Sequence, residues 1–356
     1  MNKPILNSPA AETRRVLRER ILRANAAGFE ALALDVFRYQ VVHNPVYRRY
    51  VGYLSIRPEQ VTDLHRVPFM PISFFRHHAV RTQAEVHPLE TPLVFASSGT
   101  TGSETSRHHV PDEALYDAVS QRIFEETYGP LVNFHILALL PSYLERNNSS
   151  LVYMVRRFIE KAASPVSGFF LNNTDDLTAT LRRLAEAPDG RKILLIGVTF
   201  GLLDWAESGT DFAFLRNLPN LIVMETGGMK GRRRELLREE VHAILTGRLG
   251  APQIHSEYGM TELLSQAYSS GEGIFRPSAT LRVLLRDVND PFHLLRPEST
   301  TRLTGGINVV DLANLDSCSF IETQDLGQFI PDQPDAFRVI GRFDNSDIRG
   351  CNLMIE

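Results

Sequence analysis

The sequence predicts an α/β fold followed by a smaller antiparallel β subdomain, and three observations carry that prediction. From residue 92 onward short apolar runs alternate with segments of helical period, the signature of a sheet covered by helices. After about residue 275 the texture changes to short strand-like runs separated by turns. The chain has 356 residues, enough for a large core and more than one structural unit. A division into residues 1–90 (a helical region packed on the core), 91–274 (an α/β core) and 275–356 (a β-rich subdomain) follows.

Residues 11 to 42 read as helix with an interruption, because Phe29, Leu32, Val36 and Phe37 recur at helical spacing and Asn44-Pro45 ends the pattern. The apolar, proline-broken stretch from Val67 to Phe75 reads as a packed loop and a short turn. Strands are expected at 93–96, 135–140, 167–171, 192–198 and 221–225, and helices at 112–127, 149–162, 174–187, 200–207 and 231–248. Beyond 275, strands are expected around Leu281–Leu285, Ile307–Asp311, Phe320–Thr323 and Phe337–Ile340, with Asp-Pro, Gly-Gly and Pro-Asp turns between them. Ligands of α/β sheets gather at the carboxyl ends of strands. In this chain that rule selects the loops 97–106, 225–231 and 256–262.

Hydrophobic residues make up 43% and charged residues 22%, ordinary for a soluble globular protein. The formal net charge of −4 gives no basic excess for nucleic acid, and the cationic run at Lys230–Arg234 is followed at once by Glu235, Glu239 and Glu240, as on a solvated helix start. Two cysteines do not make a disulfide scaffold. No cationic segment precedes an apolar core as in a secretory signal, and no apolar stretch spans a bilayer, so a cytoplasmic location is the expectation. The pairs His77-His78 and His108-His109 lack recognised metal-ligand spacing and read as surface or loop residues, although His108 and His109 stand close to the next motif.

Five motifs carry chemistry. Ser97-Ser98-Gly99-Thr100-Thr101-Gly102 follows an apolar strand and combines hydroxyl donors with glycines, as a backbone nest for phosphate oxygens requires. It is neither a Walker A loop nor a dinucleotide fingerprint. In Glu225-Thr226-Gly227-Gly228 the glycines let a flat ligand lie against the backbone. Glu257-Tyr258-Gly259-Met260-Thr261-Glu262 offers a carboxylate for Mg²⁺, a hard cation that takes one or two carboxylates plus phosphate oxygens. Its competing reading makes Thr261 and Glu262 the first turn of a helix. In Thr323-Gln324-Asp325-Leu326-Gly327 a short carboxylate on a turn suits a ribose diol, and Arg342 in Gly341-Arg342-Phe343-Asp344 suits sugar hydroxyls and phosphate. Alone, each motif also fits an ordinary turn.

Taken together, in this order, the motifs resemble those of the adenylate-forming superfamily, which includes acyl- and aryl-CoA ligases, peptide-synthetase adenylation domains and luciferase. The resemblance spans about residues 97 to 350. It implies the N-terminal domain of that family, with layered α/β sheets and a small antiparallel β subdomain. It implies ATP and Mg²⁺ as cofactors. Ser97 to Gly102 would cradle the β- and γ-phosphates, and Gly227 and Gly228 would border adenine. Tyr258, with Gly259 beside it, would pack on adenine. Thr261 would touch the α-phosphate, Glu262 would bind Mg²⁺, and Asp325, assisted by Arg342, would hold the ribose hydroxyls. The implied reaction is attack of a carboxylate on the α-phosphorus of ATP.

Two departures refine the resemblance. Most members place a lysine after the phosphate loop, where this chain has Ser103-Glu104-Thr105-Ser106-Arg107, with Arg107 as a substitute cation. Typical members also continue with a C-terminal domain, whereas this sequence stops six residues after Gly350. Its ending and length resemble the LuxE-type acyl-protein synthetases of bacterial bioluminescence. Those proteins activate a fatty acid with ATP, carry the acyl group on a cysteine near the C-terminus and pass it to a reductase. Cys351 takes the acceptor position in that resemblance, and nearby arginines would favour its thiolate. Cys318 reads as a packed core residue. Two alternatives stay open: transfer to coenzyme A or a carrier protein, and a non-catalytic partner subunit that binds ATP or an acyl group.

Overall fold

A computed structural model describes residues 8–82, 93–97, 105–140, 148–171, 173–227, 236–296, 304–333 and 335–343. The first helices form where the sequence supplies caps. In α1 (Pro9–Leu22) the Ser8 hydroxyl accepts from the Ala11 N–H and proline occupies the first turn, where its missing donor costs nothing. The interruption falls at residues 23–28, after which α2 (Phe29–His43) runs to Asn44. The Asn44 side chain accepts from the N–H groups of Val46 and Tyr47 and so starts α3 (Pro45–Tyr53). The stretch 67–75 is the expected packed loop, with a two-residue strand β1 (Met70–Pro71) and one turn of helix α4 (Phe74–His77).

The α/β core is a seven-stranded sheet of order β10-β9-β8-β7-β6-β4-β5. Its strands β4 (Phe134–Leu139), β5 (Gly168–Phe170), β6 (Lys192–Val198), β7 (Leu221–Thr226) and β8 (His255–Tyr258) are parallel, while β9 (Ala267–Ser269) and β10 (Arg276–Pro277) return antiparallel. Helices α5 (Glu113–Tyr128), α6 (Ser150–Ala162), α7 (Thr174–Glu186), α8 (Thr199–Ala206) and α9 (Arg238–Leu249) connect or cover them. The continuous apolar run of β6 is buried from Ile193 to Val198, as a central parallel strand covered on both faces demands. At Gly197 an added Cβ would stand 2.7 Å from Leu202 Cγ, so glycine is what lets α8 pack against this strand. Helix α9 begins at Arg238 rather than at 231: Leu236 and Leu237 are extended, and residues 228–235 lie outside the described residues.

A second sheet contains β11 (Leu281–Arg286), β12 (Thr304–Asp311), β13 (Phe320–Phe329) and β14 (Phe337–Arg342), all antiparallel, with β1 added in parallel to β13. The Gly305-Gly306 pair, expected as a turn, lies inside β12. The reason is spatial, since a Cβ at Gly306 would stand 2.5 Å from the Arg286 guanidinium and one at Gly305 would stand 2.3 Å from the Arg286 carbonyl. The strand before the hydroxyl-rich loop, β2 (Leu93–Ala96), also departs from expectation. Among the described residues it pairs with β3 (Arg107–Val110) alone, antiparallel in a two-stranded ribbon, and is not a strand of the seven-stranded sheet.

The N-terminal helices are fastened to both sheets by polar groups. Arg14 of α1 donates to both Asp316 carboxylate oxygens at 2.6 Å and to Asp112 at 2.9 Å. Asp112 is itself the N-cap of α5, accepting from Leu115 N–H. Burial opposes the Asp112 charge, but Arg18, the Leu115 N–H and Arg14 outweigh it and hold its pKa below the usual range. Gln40 of α2 donates to the carbonyls of Asn314 and Leu315 and accepts from Ser319 N–H. Removing Arg14 strands a buried carboxylate. Arg14→Ala is therefore expected to lower stability by about 3–5 kcal/mol in urea unfolding, and a loss below 1 kcal/mol would show that Asp112 and Asp316 are solvated.

Candidate active site

The structure gathers three of the sequence-predicted residues into one corner. Tyr258 ends β8, and its hydroxyl donates to Asp325 Oδ2 at 3.0 Å across 67 residues of sequence. Asp325 on β13 pairs in register with Arg342 on β14, whose Nε stands 3.9 Å from Asp325 Oδ1. The Tyr258 ring is buried and packs on Phe275 and Phe337, with centroids 5.8 and 5.6 Å away. Burial raises the Asp325 pKa, and the charge of Arg342 and the Tyr258 hydroxyl pull it back. Arg342 is the exposed member of the corner, its Nη2 donating to Gln324 Oε1 at 3.4 Å.

Thr261 and Glu262 sit beyond β8 in a turn, not in the first turn of a helix. The turn is held by its peptide groups. His108 Nδ1 donates to the Thr261 carbonyl at 2.8 Å, and Asn314 Nδ2 donates to the Glu262 carbonyl at 2.8 Å. Just downstream, the fully buried carboxylate of Asp311 accepts from the N–H groups of Leu264 and Ser265, from the Ser265 hydroxyl and from the Ala313 N–H. Burial raises the Asp311 pKa against these donors. Burial likewise raises that of Glu262, opposed by Ser106, by the turn's own N–H and by the charges of Arg342 and Arg76. The charge of Arg342 thus bears on both Asp325 and Glu262.

His108 corrects the expectation that the histidine pairs lie at the surface. It is completely buried on β3 with its ring edge-on to Phe75, and burial depresses its pKa to about 4, so it is neutral. The alternation of the short ribbon turns it inward while Arg107 stays exposed. His77 and His78 are exposed, as expected. Cys318 is fully buried, as expected, and burial pushes its thiol up to about 12.

The remaining motif residues are placed as follows. Ser97 closes the ribbon, its N–H donating to the Ser106 carbonyl and its hydroxyl accepting from Ser106 N–H. Gly227 takes φ 73°, the left-handed conformation that favours glycine, directly after β7. Ser98, Gly99, Thr100, Thr101, Gly102, Gly228 and Cys351 lie outside the described residues.

Sequence reasoning missed the buried acids at the ends of β7 and β8. Glu225 accepts from Thr199 Oγ1 and Arg238 Nε, both at 3.0 Å, with His242 Nε2 at 3.5 Å. Burial opposes its charge, but His242 and Arg238 keep its pKa low. Glu257 points to the other face, where it accepts from the Thr226 hydroxyl beside the Tyr268 ring, its cross-strand neighbour. Burial, reinforced by the Glu225 charge, raises the Glu257 pKa to about 7 against the Thr226 hydrogen bond. For Glu225 the sequence signal was an acid inside an apolar strand, which reads as ordinary until the strand is known to be covered on both faces, whereas Glu257 stands among the polar neighbours of β8.

No family model and no curated protein matches the chain. Solved structures do. One is 2-hydroxyisobutyryl-CoA ligase in an open conformation, in complex with 2-HIB-AMP and CoA. It aligns with TM-score 0.61 at 15% identity over 95% of this chain and 71% of that one. The same ligase in the postadenylation state with 2-HIB-AMP aligns with TM-score 0.61 at 15% identity over 96% and 73%. An ATP-bound RpMatB-BxBclM chimera aligns with TM-score 0.51 at 14% identity over 73% of this chain and 50% of that one, so the chain spans half the chimera's length. The chain therefore shares the α/β fold of these solved structures.

Because Glu257 keeps its proton in the folded state up to about pH 7 while the unfolded chain releases it near the ordinary glutamate value of 4.5, stability falls as pH rises through that window. Glu257→Gln is expected to remove this component. Unfolding curves from pH 4.5 to 7 should flatten relative to wild type, and parallel curves would show that Glu257 is ionised in the fold.

Proposed function

We propose that this protein activates a carboxylic acid with ATP, forming an acyl-adenylate and pyrophosphate, and then passes the acyl group to a thiol. The observation that carries the reading is the convergence of Tyr258, Asp325 and Arg342 from three separate motifs, beside the anchored turn of Thr261 and Glu262. The fold of adenylate-forming ligases supports it.

In this reading Asp325, aligned by the Tyr258 hydroxyl, accepts hydrogen bonds from the ribose diol, and Arg342 neutralises charge near the phosphates. Ser97 to Gly102 cradle the β- and γ-phosphates, and Gly227 and Gly228 border adenine, while the missing side chain of Gly259 makes room for the Glu257 carboxylate. Thr261 donates its hydroxyl to the α-phosphate. Among the described residues there is no cluster of three or more metal-ligating side chains. The buried Glu262 carboxyl, faced by the Ser106 hydroxyl, is an all-oxygen donor set of the kind Mg²⁺ takes together with phosphate oxygens. Mg²⁺ bound there would offset the charge of the leaving pyrophosphate. The acid's carboxylate oxygen forms a bond to the α-phosphorus as the bond to the β-phosphate oxygen breaks. The protein contributes chiefly position and charge compensation.

The acceptor thiol is Cys351, its sulfur bonding to the acyl carbon as AMP leaves. A fatty acid and a downstream acyl reductase or carrier are the partners this implies. Transfer to free coenzyme A is the second reading, favoured by a CoA-bound ligase of the same fold. Among the described residues no helix is long and apolar enough to cross a membrane.

Pyrophosphate exchange driven by a panel of fatty and aromatic acids tests the first step. Exchange is expected in wild type and should fall by about 10²-fold or more in Glu262→Gln, the scale of losing one charge-stabilising group. No exchange with any acid overturns the reading in favour of a non-catalytic binding subunit. Mass spectrometry separates the acceptors: an acyl adduct that disappears in Cys351→Ala supports the cysteine, whereas acyl-CoA formation undiminished in that variant assigns it to coenzyme A.

A further inference from the structure

A cavity of about 420 Å³ lies between the segment 55–69 and the chain following β11 at 291–294, with Asn308 of β12 in its wall. Neither Tyr258, Asp325 and Arg342 nor Thr261 and Glu262 line it. Its size falls in the range of roughly 300–1,000 Å³ typical of small-molecule sites. Ile56, Val61, Val67 and Leu294 give it apolar walls, and Phe292 stands 63% exposed among its lining residues.

The charged groups of the lining are all of one sign. Arg57 and Arg66 contribute to it, beside the His65 imidazole, and no aspartate or glutamate does. Asp63 nearby accounts for part of that charge, with Arg66 Nε at 3.4 Å and His65 Nδ1 at 3.8 Å. Arg57 has no carboxylate partner among the described residues. A concave, low-dielectric wall concentrates such a field.

Asn308 supplies an independent observation. It is 1% exposed, and its Oδ1 accepts from Arg286 Nη1 at 2.8 Å. Its Nδ2 is buried with no hydrogen-bond partner among the described residues. A buried donor left unpaired costs roughly 1–3 kcal/mol. The lining's unpartnered buried polar atom is thus a donor, and its charges are cationic.

We propose that this cavity binds a small amphipathic organic anion, its apolar body against the aliphatic walls and its oxygens toward the arginines and the Asn308 amide. The site shares no residue with the acyl-activation reading, and failure of pyrophosphate exchange leaves it unaffected.

The test uses the full chain and 1-hexanesulfonate, an anion with an apolar tail and no carboxylate to activate, titrated by calorimetry beside 1-hexanol and hexylammonium. One sulfonate is expected per chain, with the alcohol and the ammonium weaker by about tenfold or more. Arg57→Glu, at an exposed position that leaves the fold intact, should weaken sulfonate by about tenfold, and Phe292→Ala should weaken all neutral and anionic probes together. Absence of sulfonate binding, equal binding by Arg57→Glu, or displacement of the sulfonate by ATP overturns the assignment.

Discussion

The carboxylate of Asp311 joins the two sheets. It ends β12 in the antiparallel sheet and takes the N–H groups of Leu264 and Ser265 from the loop between β8 and β9 of the parallel one. Its second oxygen closes on the Ser265 hydroxyl and the Ala313 N–H. Four donors satisfy a charge that is otherwise costly to bury. Because the loop is pinned from below, the turn of Thr261 and Glu262 just ahead of it has a fixed place from which Asn314 and His108 can reach its carbonyls. The N-terminal helices belong to the same arrangement: Gln40 holds the chain at Asn314 and Leu315, and Arg14 holds it at Asp316. The candidate site is therefore an outcome of polar packing between the two sheets as much as of the motifs that name it.

Much of the architecture was legible because it rests on apolar continuity. The runs at 134–139, 192–198 and 221–226 are strands that burial on both faces keeps largely apolar, with His135, Glu225 and Thr226 as buried exceptions, and the sequence reflects that directly. The helices at 113–128, 150–162 and 174–186 were legible through their helical period, whereas α3, started by Asn44, was not, because Asn44-Pro45 read only as the end of the pattern before it. What was not legible depends on a neighbour distant in sequence. Gly305 and Gly306 look like a turn until Arg286 is seen to occupy the space their side chains would need. His108 looks solvated until the ribbon is folded over Phe75.

The site divides the same way. Tyr258, Asp325 and Arg342 were identifiable by motif, and their convergence required β13 and β14 to pair in the observed register. The acids Glu225 and Glu257 were hidden because their chemistry arises from burial. On adjacent strands and opposite faces of one sheet, they end with opposite pKa shifts: Arg238 and His242 keep one charged, and the other has a hydroxyl and a neighbouring negative charge. Residue type alone carries none of that difference.

The turn after β8 is gripped by its backbone carbonyls, and this separates shape from chemistry at the position where the two usually constrain each other. The side chains of Thr261 and Glu262 are passengers on a frame built by His108, Asn314 and Asp311. Such a frame behaves as a socket into which different functional groups fit without rebuilding the loop. Divergence within this fold would then be expected to run through the passengers, with the three residues beneath them changing only together.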